Sequence, residues 1–305
     1  MQQIPKEMFQ PASVDLSEAE KISKPSLSFW KDVSIRFRKN KLAMFGLVLL
    51  FLLIFMAIFG PMMTPYDYRT NDLMNTNQPP SAEHWFGTDE LGRDIFARTW
   101  YGARISLFIG VAAALIDLFI GVLWGGIAAF RGGRTDEVMM RIADILWGVP
   151  YLLLVILLMV VLEQGLGTMI LAMTITGWIN MARIVRGQVL QLKNQEYVLA
   201  AQTLGASTSR IMFRHLIPNT MGPILVTMTL TIPSAIFTEA FLSYLGLGVP
   251  QPLASWGTMA SDGVSALQYY PWRLFFPATM ICLTIFAFNV VGDGLRDALD
   301  PRLRK

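Results

Sequence analysis

Six stretches of this chain are long and apolar enough to cross a lipid bilayer. A helix rises about 1.5 Å per residue, so roughly 20 apolar residues cover a hydrocarbon core of about 30 Å. The first stretch runs from Leu42 to Gly60, bounded by Lys41 and Pro61. The others are read at Ile105–Phe130, Ile142–Leu162, Leu166–Ala182, Met221–Leu245 and Leu274–Val291. Asp117 interrupts the second, Pro150 the third, and Pro223 and Pro233 the fifth. A buried helix of a water-soluble core explains one such run but not six. The composition agrees: 53% of the 305 residues are hydrophobic and only 15% are charged, against about 25% charged in a soluble domain. The reading is an all-α integral membrane protein with six transmembrane helices.

Basic residues set the orientation, because short loops rich in Lys and Arg stay in the cytoplasm. With the N-terminus inside, 20 of the 25 basic residues fall on the cytoplasmic side. The outer segments hold only Arg69, Arg93, Arg98, Arg104 and Arg273. Both termini are therefore expected in the cytoplasm of a multi-pass protein of the cell membrane. The first outer loop, Pro61 to Gly102, is long and balances its arginines with acids. Residues 1–40 read as a cytoplasmic tail with no cleavable signal. Residues 41–103 read as the first helix and external loop, 104–295 as the core, and 296–305 as a second tail. No internal repeat stands out.

Several functions are excluded. The net charge of +3 is small and the basic residues form no stripe, so nucleic acid is not expected as a partner. One cysteine, Cys282, and two isolated histidines, His84 and His215, give no metal-ligand set. No nucleophile–base constellation marks an enzyme. The phosphate-cradling GxxxxGK[ST] loop is missing, so ATP is expected to be handled by partners. Ionisable residues inside spans mark polar partners or solute paths. Asp117 and Glu239 are the candidates here, with Asp144 beside them, and they keep a proton-coupled secondary carrier open as an alternative.

One inside connection, Arg183 to Thr220, is unusually long. It reads as two short helices around a glycine. Asn194 is expected to cap the first, with Glu196 in its first turn where an acid suits the helix dipole. Glu196, Ala200 and Leu204 share a face, with Ala201 beside them. Gly205 suits a left-handed helix end. Ser207 or Thr208 caps the second helix, which carries Arg210, Ile211, Arg214 and His215 and is expected to stop at Pro218. The two alanines form a shallow face, and Leu204 and Ile211 form apolar anchors. Together they suggest a docking surface.

The order Glu196, Ala200, Ala201, Gly205, His215, Pro218, Asn219 resembles the cytoplasmic EAA loop of permease subunits in bacterial ABC importers. The segment HWFGTDELGRDIFARTWYGARISL resembles the dipeptide and oligopeptide permease branch, C-type subunit, those of Gram-positive bacteria above all. Gly87, Thr88, Asp89, Gly92, Arg93 and Asp94 carry that likeness, as does FLSYLGLGVPQPLASWG from Phe241 to Gly257. The resemblance implies a type I ABC importer permease fold with a cytoplasmic coupling loop. It implies a second permease subunit, two ABC ATPases that use ATP and Mg, an extracellular substrate-binding protein and a peptide substrate. Nickel or another small solute stays open, because importers of the same branch carry it.

Overall fold

The computed structural model describes residues 28–300, and within them the regular elements are helices, with one isolated bridge between Thr88 and Asp94. The helices are α1 (Phe29–Lys39), α2 (Lys41–Phe59), α3 (Ile95–Arg131), α4 (Gly133–Gly148) and α5 (Tyr151–Val161). They continue with α6 (Leu166–Leu192), α7 (Glu196–Thr203), α8 (Thr208–Ile211), α9 (Ile217–Leu242), α10 (Trp256–Ala266) and α11 (Trp272–Leu299). The parts of the two expected tails outside residues 28–300 lie outside the described residues.

Five helical stretches have the length and composition to cross a membrane: Lys41–Met62, Ile95–Arg131, Leu166–Leu192, Thr208–Leu247 and Trp272–Leu299. The third expected span is instead a broken pair, α4 and α5, bent by 83°. Pro150 explains the break, since it cannot donate to the helix and disfavours helical backbone at Val149, which is extended. The pair still connects opposite ends of the bundle. Near its start, Trp124 Nε1 donates to Met139 O (3.1 Å). Beyond its far end, Gln164 Nε2 donates to Gly246 O (3.3 Å), past the end of α9.

Several spans are longer than the apolar runs suggest: α6 continues past Ala182 and through Arg183 to Leu192, and α11 past Val291 to Leu299. α3 starts at Ile95, ten residues before Ile105, because Asp94 caps it by accepting from Ala97 N (2.7 Å). Its extra turns carry arginines whose charges are satisfied locally. Arg104 donates to Ala57 O (2.6 Å) and Ile58 O (2.7 Å), carbonyls at the C-terminal end of α2, where a cation suits the helix dipole. The fifth span starts at Thr208 because α8 passes through a wide turn, Met212–Leu216, directly into α9. Pro218 does not stop a helix. It occupies the first turn of α9, where a missing N–H costs little.

The bundle packs through small residues, as membrane helices do where apolar burial alone offers no preference. A side chain at Gly125 of α3 would meet Ala182 O of α6 at 2.1 Å. α2 buries only Ala43, Gly46, Leu50, Leu53 and Ala57, a single stripe turned toward α11. Its remaining apolar side chains, Phe51 and Phe55 among them, face outward, as a lipid-facing helix requires.

Candidate functional site

Three places gather the polar side chains of this otherwise apolar molecule. The first is a cavity of about 680 Å³ between α3, α6 and α9, opening at the bend between α4 and α5. Its α9 wall is a polar stripe: Thr227, Thr231, Ser234 and Thr238, spaced 4, 3 and 4 residues apart so that all face one way. Each hydroxyl donates to a carbonyl of the preceding turn, Thr231 to Thr227 O (2.9 Å) and Thr238 to Ser234 O (2.8 Å). That leaves their oxygen lone pairs free to accept. Thr176 and Asn180 extend the polar lining on α6.

Asp117 lines this cavity from α3. It faces the protein interior, as its position in mid-span demands. It is only 6% exposed, and among the described residues its Oδ1 has no hydrogen-bond partner. Gly177 makes room for it: a side chain there would meet the carboxylate at 2.4 Å. Glu239, the other intramembrane acid, does something different. It is fully buried and accepts from Ser243 Oγ (2.9 Å), Ser255 Oγ (2.6 Å) and Ser106 Oγ (3.3 Å). Ser106 also accepts from Trp256 N (3.0 Å), and the Trp256 indole donates to Thr99 O (2.9 Å). Glu239 thus pins the start of α10 to α3 and α9 and does not line the cavity.

The second place is the 61–94 segment, a closed cap over one end of the bundle. Asp89 accepts from Leu91 N (2.9 Å), Arg93 N (3.0 Å) and Arg93 Nε (2.7 Å), and lies 3.4 Å from Arg98 Nε. Thr88 Oγ1 donates to Asn75 O (2.5 Å) and accepts from Gln78 N (2.8 Å). Asp94, besides capping α3, pairs with His84 Nδ1 at 2.9 Å, so His84 is a buried structural partner. Gly87 and Gly92 both have positive φ. At Gly92 no other residue fits, since a Cβ would lie 1.7 Å from Asp72 O. Arg273 of α11 closes the cap, donating to Asn77 Oδ1 (3.1 Å) and Glu90 Oε2 (2.5 Å). The family-motif residues Gly87 to Asp94 are therefore brought together as one folded unit.

The third place is the connection between α6 and α9. Gly205 takes φ +77° and ends α7, with the amide of Ala206 returning to Ala201 O (3.0 Å). Ser207 caps α8, accepting from Arg210 N (3.3 Å). Asn194 does not cap α7. Gln195 holds that position without a side-chain bond. Glu196, Ala200 and Leu204 are exposed, Leu204 at 87%. Ala201 is half-buried against the core beneath, and Ile211 is buried there beside Val198 and Leu216. Ile211 is thus an anchor to the bundle itself, and the outward apolar groups are Tyr197, Leu199, Leu204 and Phe213. His215 is half-buried and Pro218 exposed.

The residues that sequence reasoning missed are the α9 stripe and its α6 counterparts, Thr176 and Asn180. The signal was present, because four hydroxyl residues at helical spacing within an apolar span mark a polar face. Among the described residues no group of three or more His, Cys, Asp or Glu could hold a metal ion.

Comparison with known proteins fits this geometry. Residues 121–305 match the family of binding-protein-dependent transport system inner membrane components. Residues 28–80 match the N-terminal transmembrane domain of oligopeptide transport permease C. The oligopeptide transport system permease protein OppC of Bacillus subtilis is 75% identical over 305 residues, covering 100% of both chains. The dipeptide transport system permease protein DppC of the same organism is 60% identical over 304 residues, covering 99% of this chain and 95% of its own. Among solved structures, the inward-facing MetNI methionine ABC transporter has a chain that superposes with a TM-score of 0.54 at 16% identity. The match covers 65% of this chain and 94% of that one, a likeness of fold.

Proposed function

This chain belongs to the family of binding-protein-dependent transport system inner membrane components, and on that premise we propose that it carries oligopeptides or dipeptides inward across the cytoplasmic membrane. The observation that carries the reading is the 75% identity with an oligopeptide permease along the entire chain. A family of transport components is not a family of enzymes, so the chain performs no covalent chemistry. It supplies packings between which the solute path opens and closes, and its partners bias them.

In this reading the chain pairs with a second permease subunit, and peptides cross between the two. Two ABC ATPases use ATP and Mg on the cytoplasmic side, and an extracellular binding protein delivers the peptide. Both termini lie in the cytoplasm. Residues 41–103 form the first crossing and external loop, and 104–295 the permease core. The coupling loop is α7 with the turn at Gly205. It offers Glu196, Ala200 and Leu204 to an ATPase groove, with His215 and Pro218 at its return into α9. The exposed Tyr197, Leu199 and Leu204 support that role, since a patch of outward apolar groups beyond the spans favours a protein partner. The 61–94 cap then faces the binding protein.

The test is uptake by vesicles holding the complete importer. Tripeptide uptake is expected to require ATP and to survive collapse of the proton gradient. Uptake that follows the gradient would restore the secondary carrier, and ATP-driven uptake of nickel without peptide would restore the metal-ion alternative.

A further inference from the structure

We infer that Asp117 is a binding residue of the solute path, and that it receives the α-ammonium group of a peptide in transit. The inference rests on the peptide reading above and deepens it. Among the described residues, Asp117 is the only charged one lining the α3–α6–α9 cavity. Arg183 stacks on Trp147 beside the cavity, but it is engaged with Asp144 Oδ1 at 2.8 Å. To be charged, a carboxylate this buried needs a cationic partner, since an isolated charge in the membrane interior costs about 2.5–3.5 kcal/mol even on lenient scales, and without one it holds a proton. Among the described residues its Oδ1 has no hydrogen-bond partner.

The surroundings suit a primary ammonium. Such a group has three donors and no acceptor. Asp117 would take one, and hydroxyl oxygens of the α9 stripe, Thr231 and Ser234 among them, present lone pairs within the same cavity. A divalent metal ion fits poorly, because hydroxyls and a single carboxylate are a weak set beside the several carboxylates that such ions take. The cavity, at about 680 Å³, lies in the size range of small-ligand sites, roughly 300–1,000 Å³. Gly177 leaves room for the carboxylate to lie against α6 at the wall of the cavity, where a larger residue would displace it.

The experiment uses the complete importer in vesicles, with three probes: a lysine-free tripeptide, its N-acetylated form, and an N-acetylated peptide containing lysine. Dicyclohexylcarbodiimide modifies buried carboxylates, and mass spectrometry reads its addition at Asp117, with Asp117→Asn as the control for position. Assembly of the variant is checked by size-exclusion chromatography. The free-amine tripeptide is expected to protect Asp117, and neither acetylated probe to do so. Uptake of the tripeptide should fall at least about thirtyfold in Asp117→Asn, as when one partner of a buried charge pair is removed. Unprotected Asp117 in an importer that transports the tripeptide overturns the inference, whatever the variant does. Equal protection by the acetylated lysine peptide assigns a side-chain ammonium and overturns the α-amino assignment. Absence of tripeptide uptake by the parent importer removes the peptide reading itself, a result distinct from the other two.

Discussion

The cap of residues 61–94 buries a knot of charges at its base, Asp89, Arg93 and Asp94, whereas the connection between α6 and α9 turns most of its side chains out. In the cap, Asp89, Arg93, Asp94 and Arg98 are each under 10% exposed and each has a named partner. In the connection, Glu196, Ala200 and Leu204 have no such enclosure, and only Val198, Ile211, Met212 and Leu216 are buried. A closed network holds one geometry by itself. An open helix pair is held on one side only, and its outer face is left for something else to fix. The cap is thus enclosed by its own contacts, whereas the connection is held on one side only.

The largest expected effect breaks the cap. Asp89→Ala strands two buried arginines, and removing one partner of a buried ion pair costs about 3–5 kcal/mol. Thermal unfolding in detergent should shift down accordingly, and limited proteolysis should cut between residues 61 and 94. An unchanged melting curve would show that the cap does not depend on its charges.

The next effect tests the connection. Gly205 has open space around its α-carbon, so Gly205→Val meets no neighbour and suffers only from its backbone, at φ +77°. A β-branched residue held there costs about 1–3 kcal/mol. The helix turn should reset to avoid that cost, redirecting α8. Co-purification of an ATPase should fall while the melting temperature moves little, because the rest of the bundle keeps its packing. Normal co-purification and uptake would remove the docking role from this turn.

The two adjacent alanines sharpen the same contrast. Ala200 is exposed and Ala201 half-buried against Ala206 and the core below. Ala200→Trp should therefore leave stability within about 0.5 kcal/mol, as surface changes usually do, and weaken ATPase binding. Ala201→Trp should overpack, at about 1–3 kcal/mol, and lower the amount of folded protein first. Identical behaviour of the two variants would mean that α7 is not oriented as described.

Much of this architecture could be read from the chain. Apolar length marked the crossings, Gly205 marked its turn, and Ser207 its cap. What escaped was whatever depends on partners distant in sequence. Apolar length alone does not show that α3 begins at Ile95. The start depends on Asp94 as a cap and on Arg104 finding carbonyls at the end of α2. Ile211 looks like an outward anchor by spacing, but α6 and α9 bury it. Asp117 and Glu239 look alike as lone acids in apolar runs. Only the fold distinguishes a carboxylate that lines a cavity from one clasped by three serines.

The smallest effect concerns Asp262 of α10, which sits with Asp89, Arg98 and Arg273 around a small crevice under the cap. Burial pushes its pKa up, and the neighbouring Glu90 carboxylate adds to the push. Arg98, Arg93 and Arg273 pull the other way without cancelling it. The folded state therefore favours the protonated acid. Its contribution to stability is complete below the ordinary carboxylate range and is lost as pH rises through the raised pKa. Asp262→Asn mimics the protonated form at every pH. Parent and variant should melt together in acid, and the variant should become the more stable as pH rises to neutral. The gain should be no more than about 1 kcal/mol, since the group is partly solvated. A variant less stable than its parent at neutral pH would mean that the three arginines dominate at Asp262, and that the cap draws its charge network one helix further into the bundle than Asp89.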